Sequence, residues 1–384
     1  MSRSYFYVKK VNLSKVVALI LVGILSAFLF AGVMVTSLKQ TKSVYLHEWL
    51  SELSMNGYMY AFGTENHYFT QEYRNLNKEF SLSSLFLSTA TNIRFNDVRS
   101  LIGTELPGFT KYDTEILIAG EGTNYSNLPI ESSVPLEELL KERKGEGTAP
   151  PKTDAPKQQN PPAHSTGDKK VVFIYHTHSW ESYLPMLNMA NNPDENKATS
   201  SVSNISVFGE RLKEQLENYG IGSTNDKTDI GKLLISKGLN SDSSYKVSRQ
   251  VVQQAMAGNQ GLQYFFDLHR DSARKPVTTK EINGKAYAKL YFIIGAGNKN
   301  YEKNEKLATA LHEMIDKKYP GVSRGVGRKD FRTGNGIYNQ DLSGQAILIE
   351  VGGVDNTVEE LNRTIDILAE AFSEYYWQAE KVNG

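Results

Sequence analysis

The stretch Val171-Val-Phe-Ile-Tyr-His-Thr-His-Ser-Trp-Glu-Ser-Tyr183 decides how this chain reads. Its first part, Val171–Ile174, is an apolar run that predicts a buried strand. The remainder puts His176, His178 and Glu181 where that strand should meet solvent. In open α/β sheets, ligands bind outside the carboxyl ends of the strands. Two later segments end the same way: Tyr264-Phe-Phe-Asp-Leu268 runs into His269, and Ala346-Ile-Leu-Ile349 runs into Glu350. Only seven histidines occur in 384 residues, and three of them sit at these strand ends. One site assembled from three separated strand tips is the economical explanation.

Working outward, strands and helices alternate from Lys169 to the end. Val207, Phe208, Leu212, Leu216 and Tyr219 recur at helical spacing, and Tyr245–Met256 is a second helix. Lys280–Ile294 reads as a hairpin turning at Asn283-Gly284. Leu307, Leu311, Met314 and Ile315 mark another helix, and Thr357-Val-Glu-Glu360 is a capping box opening the last one. This alternation predicts an α/β domain, a mostly parallel twisted sheet with helices on both faces, over residues 169–384.

Before it, residues 141–168 hold five of the twelve prolines and almost no large apolar side chain. Such composition predicts a flexible linker. Residues 37–140 form a mixed middle region in which no chemistry is visible. Val16–Thr36 is an uncharged apolar run of 21 residues, enough at about 1.5 Å per residue to span a bilayer core of about 30 Å. Arg3, Lys9, Lys10 and Lys15 precede it, which predicts a cytoplasmic lead (1–15) and an extracytoplasmic remainder. A cleaved signal peptide is the rival reading; the run is longer than an ordinary h-region, and no small-x-small site closes it.

Formal net charge is zero and the pI about 7.1, so no basic field points to nucleic acid. With no cysteine in the chain, disulfides and thiolate metal sites are excluded, and any transition metal must be held by imidazole and carboxylate.

His178 and His269 with one carboxylate would make a three-ligand zinc site with a fourth position open for water. Zinc there would polarise a carbonyl and lower the pKa of bound water, as amide hydrolysis requires. Glu350, following three aliphatic residues, should be partly desolvated and shifted toward the range of a general base or acid; an ion-pair role at the sheet end is the bland alternative. For the third ligand Glu181 is the first candidate if the chain turns there, with Asp194, Glu195 and Glu210 also open. His176 is a candidate ligand, supporting donor or substrate contact. Arg270 and Asp271 would orient a ligand, bind a peptide carboxylate, or form a solvated rim pair. Other motifs fail. His312-Glu313 is followed at position 316 by Asp, so the metalloprotease helix motif is absent, as is Gly-x-Ser-x-Gly, and Gly325-Val-Gly327 is too short for a phosphate loop.

Tyr175-His-Thr-His178 with Glu181-Ser-Tyr, Asp267-Leu-His-Arg-Asp271 and Leu348-Ile-Glu-Val-Gly-Gly-Val-Asp-Asn356 together resemble the stage II sporulation protein P family of membrane-anchored cell-wall hydrolases. The resemblance covers essentially the whole chain. The catalytic half is also similar to zinc N-acetylmuramoyl-L-alanine amidases. That likeness implies His178 and His269 as zinc ligands and Glu350 as catalytic residue, with Gly352 and Asn356 completing the Glu-x-Gly turn. The amidases place a glutamate at the start of the next helix, where this chain has Asn204, so Glu181 is the substitute ligand. The resemblance further implies peptidoglycan as substrate, cut at the lactyl–L-alanine amide and at stem-peptide crosslinks. The expected setting is the space between mother cell and forespore during engulfment, with stage II sporulation proteins D and M as partners. A non-catalytic anchored scaffold that binds cell wall or partners is the rival class, and a zinc peptidase lacking amidase activity is a third.

Overall fold

The computed structural model describes residues 114–129 and 162–383, apart from positions 191, 193, 300, 332 and 333. The cytoplasmic lead, the membrane span, most of the middle region and the linker as far as residue 161 lie outside the described residues. Among those described, no helix is long and apolar enough to cross a membrane.

Nine strands are present among these residues: β1 (Glu115–Ala119), β2 (Val172–Tyr175), β3 (Ser223–Asn225), β4 (Tyr264–Asp271), β5 (Thr279–Ile282), β6 (Lys285–Ala288), β7 (Leu290–Gly295), β8 (Ser323–Lys329) and β9 (Ala346–Gly353). The helices are α1 (Ser206–Asn218), α2 (Ile230–Ser236), α3 (Ser244–Gly258), α4 (Lys275–Thr278), α5 (Tyr301–Lys318) and α6 (Val358–Asn383). Seven strands form one sheet in the order β1-β8-β7-β9-β4-β2-β3. The run β3-β2-β4-β9 is parallel throughout, as is β7 with β8; β7 is antiparallel to β9, and β1 to β8. The sheet is therefore mixed but mostly parallel, as expected.

Every residue of β2, β4 and β9 is buried, the signature of parallel strands covered on both faces. On one face α1, α5 and α6 press Phe208, Leu212, Leu311, Ile365 and Phe372 against Ile174, Phe266, Leu268, Ile347 and Ile349. On the other, α3 lays Val252 on Phe173, Tyr175, Phe265 and Ala346. The same helix places Tyr245 among Tyr291, Ile293, Tyr338 and Leu348. Between α1 and α6, Arg211 grips Asp366 with two parallel bonds, Nε at 2.8 Å and Nη2 at 2.7 Å. The capping box of α6 forms as its sequence predicts: the Thr357 backbone N–H donates to Glu360 Oε2 at 3.1 Å, and the Glu360 N–H to Thr357 Oγ1 at 3.4 Å.

Three sequence readings need correction. The hairpin spans only β5 and β6, joined through Asn283 (φ 51°) and Gly284 (φ 72°), while Leu290–Gly295 leaves it to become β7 of the main sheet. The stretch containing Gly325-Val-Gly327 is strand β8, unseen in the sequence because its Ser, Arg, Gly and Lys carry no apolar alternation. Most consequential is β1. It falls within the middle region drawn at 37–140, yet it pairs with β8, and Leu128 just beyond it packs into the sheet core. Arg324 Nη2 donates to the carbonyl of Asn127, and Lys329 Nζ to that of Pro129 at 3.0 Å. A five-residue strand whose partner lies about two hundred positions later leaves no local trace. The end of the linker is also docked, with the Thr166 N–H donating to Gly220 O at 2.8 Å and the His164 ring 5.3 Å from that of Trp377.

Candidate active site

The three strand tips do converge. β2, β4 and β9 lie side by side, and the parallel register sets His269 opposite Glu350. Side chains alternate along a strand, so Asp267, His269 and Glu350 project from the face under α3, while Leu268 and Ile349 enter the core beneath α1 and α6. His178 stands in the loop beyond β2, half-buried, its ring edge-on to His269 with centroids 5.1 Å apart. Tyr245 of α3 packs on both imidazoles, stacked on His269 at 6.2 Å and edge-on to His178 at 5.6 Å.

Glu181 reaches the same place because the chain turns at once: its N–H donates to the His178 carbonyl at 3.0 Å, and it bridges antiparallel to Thr199. Its Oε2 lies 3.7 Å from His269 Nδ1 and accepts the Arg270 backbone N–H at 2.9 Å. The other imidazole nitrogen of His269, Nε2, sits 3.1 Å from Asp267 Oδ1, though its N–H is not aimed well enough to count as a hydrogen bond. Asp267 is fully buried and is held in turn by Thr177, whose backbone N–H donates to Oδ1 at 2.8 Å and whose hydroxyl donates to Oδ2 at 2.6 Å. The sequence reading did not single out Asp267. The signal was present in Asp267-Leu-His-Arg-Asp271, where acids and a histidine occupy alternate positions of a buried strand.

Electrostatics sharpen the cluster. Burial pushes the Glu350 carboxyl up to about 8, with Glu181 and Asp271 adding to the shift and His269 and Lys329 opposing it. Burial works against a charged His269, but Asp267, Glu181 and Glu350 outweigh it and hold the imidazole's pKa up at about 10. Glu350 Oε2 has no hydrogen-bond partner, a costly state for a buried carboxyl unless something else is meant to meet it.

The remaining expected residues lie elsewhere. His176 turns to the opposite face, where Nε2 meets Asn225 Oδ1 at 3.0 Å and packs on the backbone of α1; a Cβ on Gly209 would fall 2.6 Å from that nitrogen. Burial lowers its pKa, and at 3% exposure it offers nothing to a substrate. Arg270 is buried, its Nη1 donating to the Asp271 carbonyl at 3.3 Å. Asp271 is no solvated rim group either: it is buried and paired with Arg324 of β8. Asn356 is structural, with Oδ1 accepting the Gly353 N–H at 2.8 Å and Nδ2 donating to Thr279 Oγ1 and Glu360 Oε2. Asn204 lies in the turn before α1, its Oδ1 accepting the Ser206 N–H at 3.1 Å. Asp194 accepts from Asn196 in its own turn, Glu195 approaches Arg274, and Glu210 pairs with Lys213 and Lys227, so none of these acids joins the cluster.

The donors suit a metal ion in kind, and the two imidazoles in their separation. Two imidazoles on one tetrahedral zinc have ring centroids about 5 Å apart, and neighbouring donors about 3.3 Å apart, given Zn–N bonds of about 2.0–2.1 Å. The rings here stand at 5.1 Å, and His269 Nδ1 and Glu181 Oε2 at 3.7 Å, slightly open. As they stand, no three such side chains among the described residues close on one ion position.

An α/β sheet that gathers imidazoles and buried carboxylates at the carboxyl ends of its central parallel strands is built to bind a ligand there. The family model of stage II sporulation protein P matches residues 96–373. Stage II sporulation protein P of Bacillus subtilis (strain 168) is 45% identical over 375 residues, covering 96% of this chain and 93% of that protein. The chain belongs to the stage II sporulation protein P family. Weaker likenesses in solved structures include Cwp6 from Clostridium difficile (14% identity, TM-score 0.33, 54% of this chain and 30% of that one). Another is an N-acetylmuramoyl-L-alanine amidase from Clostridium difficile 630 (16% identity, TM-score 0.32, 57% of this chain and all of that one).

Proposed function

We propose that this protein is a zinc-dependent peptidoglycan hydrolase that cuts the lactyl–L-alanine amide, and stem-peptide crosslinks as well, during engulfment in sporulation. The observation that carries the reading is Glu350. Its carboxyl is buried and raised to about 8, one oxygen has no partner, and it faces His269 across adjacent strands. Such a group changes protonation near neutrality, as a proton shuttle must.

His178, His269 and Glu181 would hold the metal. Zinc bound there would polarise the scissile carbonyl and lower the pKa of a water toward about 7. Asp267 beside Nε2 of His269 favours the tautomer with its proton on that nitrogen, which leaves Nδ1, on the Glu181 side, as the donor. Tyr245 clamps both rings and limits their rotation. Glu350 takes a proton from the attacking water as its oxygen bonds to the carbonyl carbon, and returns it to the nitrogen as the C–N bond breaks. The products are a carboxylate and a free amine. Residues 16–36 would anchor the chain with its catalytic unit between mother cell and forespore, beside stage II sporulation proteins D and M.

The test is product analysis. The full chain in detergent, given intact and crosslinked peptidoglycan with zinc or with chelator, should release stem peptides with a new L-alanine amino terminus. That release should vanish with chelator and in Glu350→Gln. Shortened crosslinks alone would make the protein an endopeptidase; an undiminished Glu350→Gln would remove the assigned shuttle; no product from folded, zinc-loaded protein would favour the scaffold.

A further inference from the structure

The segment from β1 to Pro129 precedes the linker in sequence, yet it packs beside the proposed site. Leu128 belongs to the buried cluster that also holds Tyr245, Tyr291, Tyr338 and Leu348. Each of these bears on the site. Tyr245 packs on both imidazoles and meets Tyr338 edge-on at 5.2 Å. Tyr291 pairs across the sheet with Glu350, and Leu348 stands two residues before Glu350 on β9.

Two buried cations clasp the segment to the sheet. Arg324 reaches from Asp271, two residues beyond His269 on β4, to the Asn127 carbonyl, and its guanidinium carbon lies 5.5 Å from the centre of the Tyr291 ring. Lys329 Nζ donates to the Pro129 carbonyl at 3.0 Å. Hydrogen bonds from an ionised donor are roughly twice as strong as neutral ones, and both would be lost if the segment left. The backbones are shaped to meet as well. A Cβ on Gly120 would collide with the carbonyl oxygen of Ser323, and one on Gly325, at φ 110°, with that of Ile118. Glycine at both positions lets β1 and β8 come this close.

We propose that residues 115–129 are a positioning strap for the active site: docked on β8, they hold Tyr245 against His178 and His269, and the metal site keeps its full affinity only while the strap is in place. This rests on the hydrolase reading given above and on its zinc site. Leu128 is the positioning residue, acting through Tyr245. Supports of this kind set the orientation of the ligands they touch. The strap lies upstream of the linker, so whatever lifts β1 from β8 weakens the site without touching a ligand.

The experiment measures the zinc affinity of the full chain in detergent, by competition with a chromophoric chelator, beside kcat and KM on soluble peptidoglycan fragments. Gly120→Ala displaces the strap from its outer end and leaves every member of the cluster unchanged. Zinc affinity and kcat should each fall about tenfold, as when a ligand loses its support, with KM little changed. Leu128→Ala should do the same from inside the cluster, and Leu128→Met should recover most of the loss. Leu212→Ala, in α1 on the opposite face, should lower stability and leave zinc affinity as it was. Wild-type affinity and kcat in folded Gly120→Ala and Leu128→Ala would overturn the strap. So would an equal loss of affinity in Leu212→Ala, which would make the effect one of stability alone. If the affinities follow the expected order while no protein, wild type included, cleaves peptidoglycan, the strap stands and the hydrolase reading falls.

Discussion

Strands β4 and β9 run in one register, yet their two faces are built for different work. Under α1, α5 and α6 they present Phe266, Leu268, Ile347 and Ile349, packed without polar interruption near the active site's level. Under α3, one residue over, they present Asp267, His269, Leu348 and Glu350. The first face is covered by three long helices, whereas the second carries one long helix and leaves the strand ends to loops. A pleated strand alternates its side chains, so one chain segment can give every second position to stability and those between to chemistry. The costs differ accordingly: the helical side loses by cavities, the site side by unpaired buried charge.

Neighbouring substitutions should break this comparison most visibly. His269→Ala should abolish peptidoglycan cleavage and zinc retention while leaving a cooperative urea transition. Leu268→Ala should instead destabilise by about 2–5 kcal/mol and keep the kcat of whatever fraction stays folded. If the two variants show the same profile, the division between faces is wrong. Asp271→Ala sharpens the comparison two residues further along β4. It leaves the buried guanidinium of Arg324 with a backbone carbonyl in place of its carboxylate, and an abandoned buried charge costs about 3–5 kcal/mol by chemical denaturation.

A third difference is in pH. On the site face, the folded state of the metal-free protein holds protons more tightly than the unfolded one, at Glu350 (about 8 against 4.5) and His269 (about 10 against 6.5). The stability each contributes is complete below its ordinary value and is lost as pH rises through the folded one. Unfolding free energy of the metal-free protein should therefore fall between pH 5 and 10, and Glu350→Gln should remove the fall below about pH 6.5, where His269 does not yet contribute, and reduce it above. The apolar face predicts no such slope, so Leu268→Ala should shift the whole profile without changing its shape. The smallest effect is at the entry to α6. Thr357→Ala should cost about 1 kcal/mol in thermal or urea unfolding and leave cleavage untouched.

Much of this was legible in order of residues. Apolar runs ending in His178, His269 and Glu350 marked the strand tips, because parallel strands buried on both faces read as unbroken apolar segments. Helical spacing in α1, α3, α5 and α6 and the Thr357 capping box were equally plain. His176 was misleading: two histidines two residues apart share a face only if the strand continues, and β2 stops at Tyr175. The strand Glu115–Ala119 and the whole of β8 escaped notice because one is short and the other polar, and each is defined by its partner.

The sequence by itself determined the α/β class, the family, and which side chains could carry the chemistry, since periodicity and residue type are local properties. Only the tertiary structure decided that Asp267 stands against His269, that Asp271 is spent on Arg324, and that Glu115–Ala119 belongs to the main sheet. Those outcomes depend on strand order and on contacts between positions far apart in the chain. Glu350 acquires its raised pKa chiefly from burial, which is likewise a product of the assembled fold.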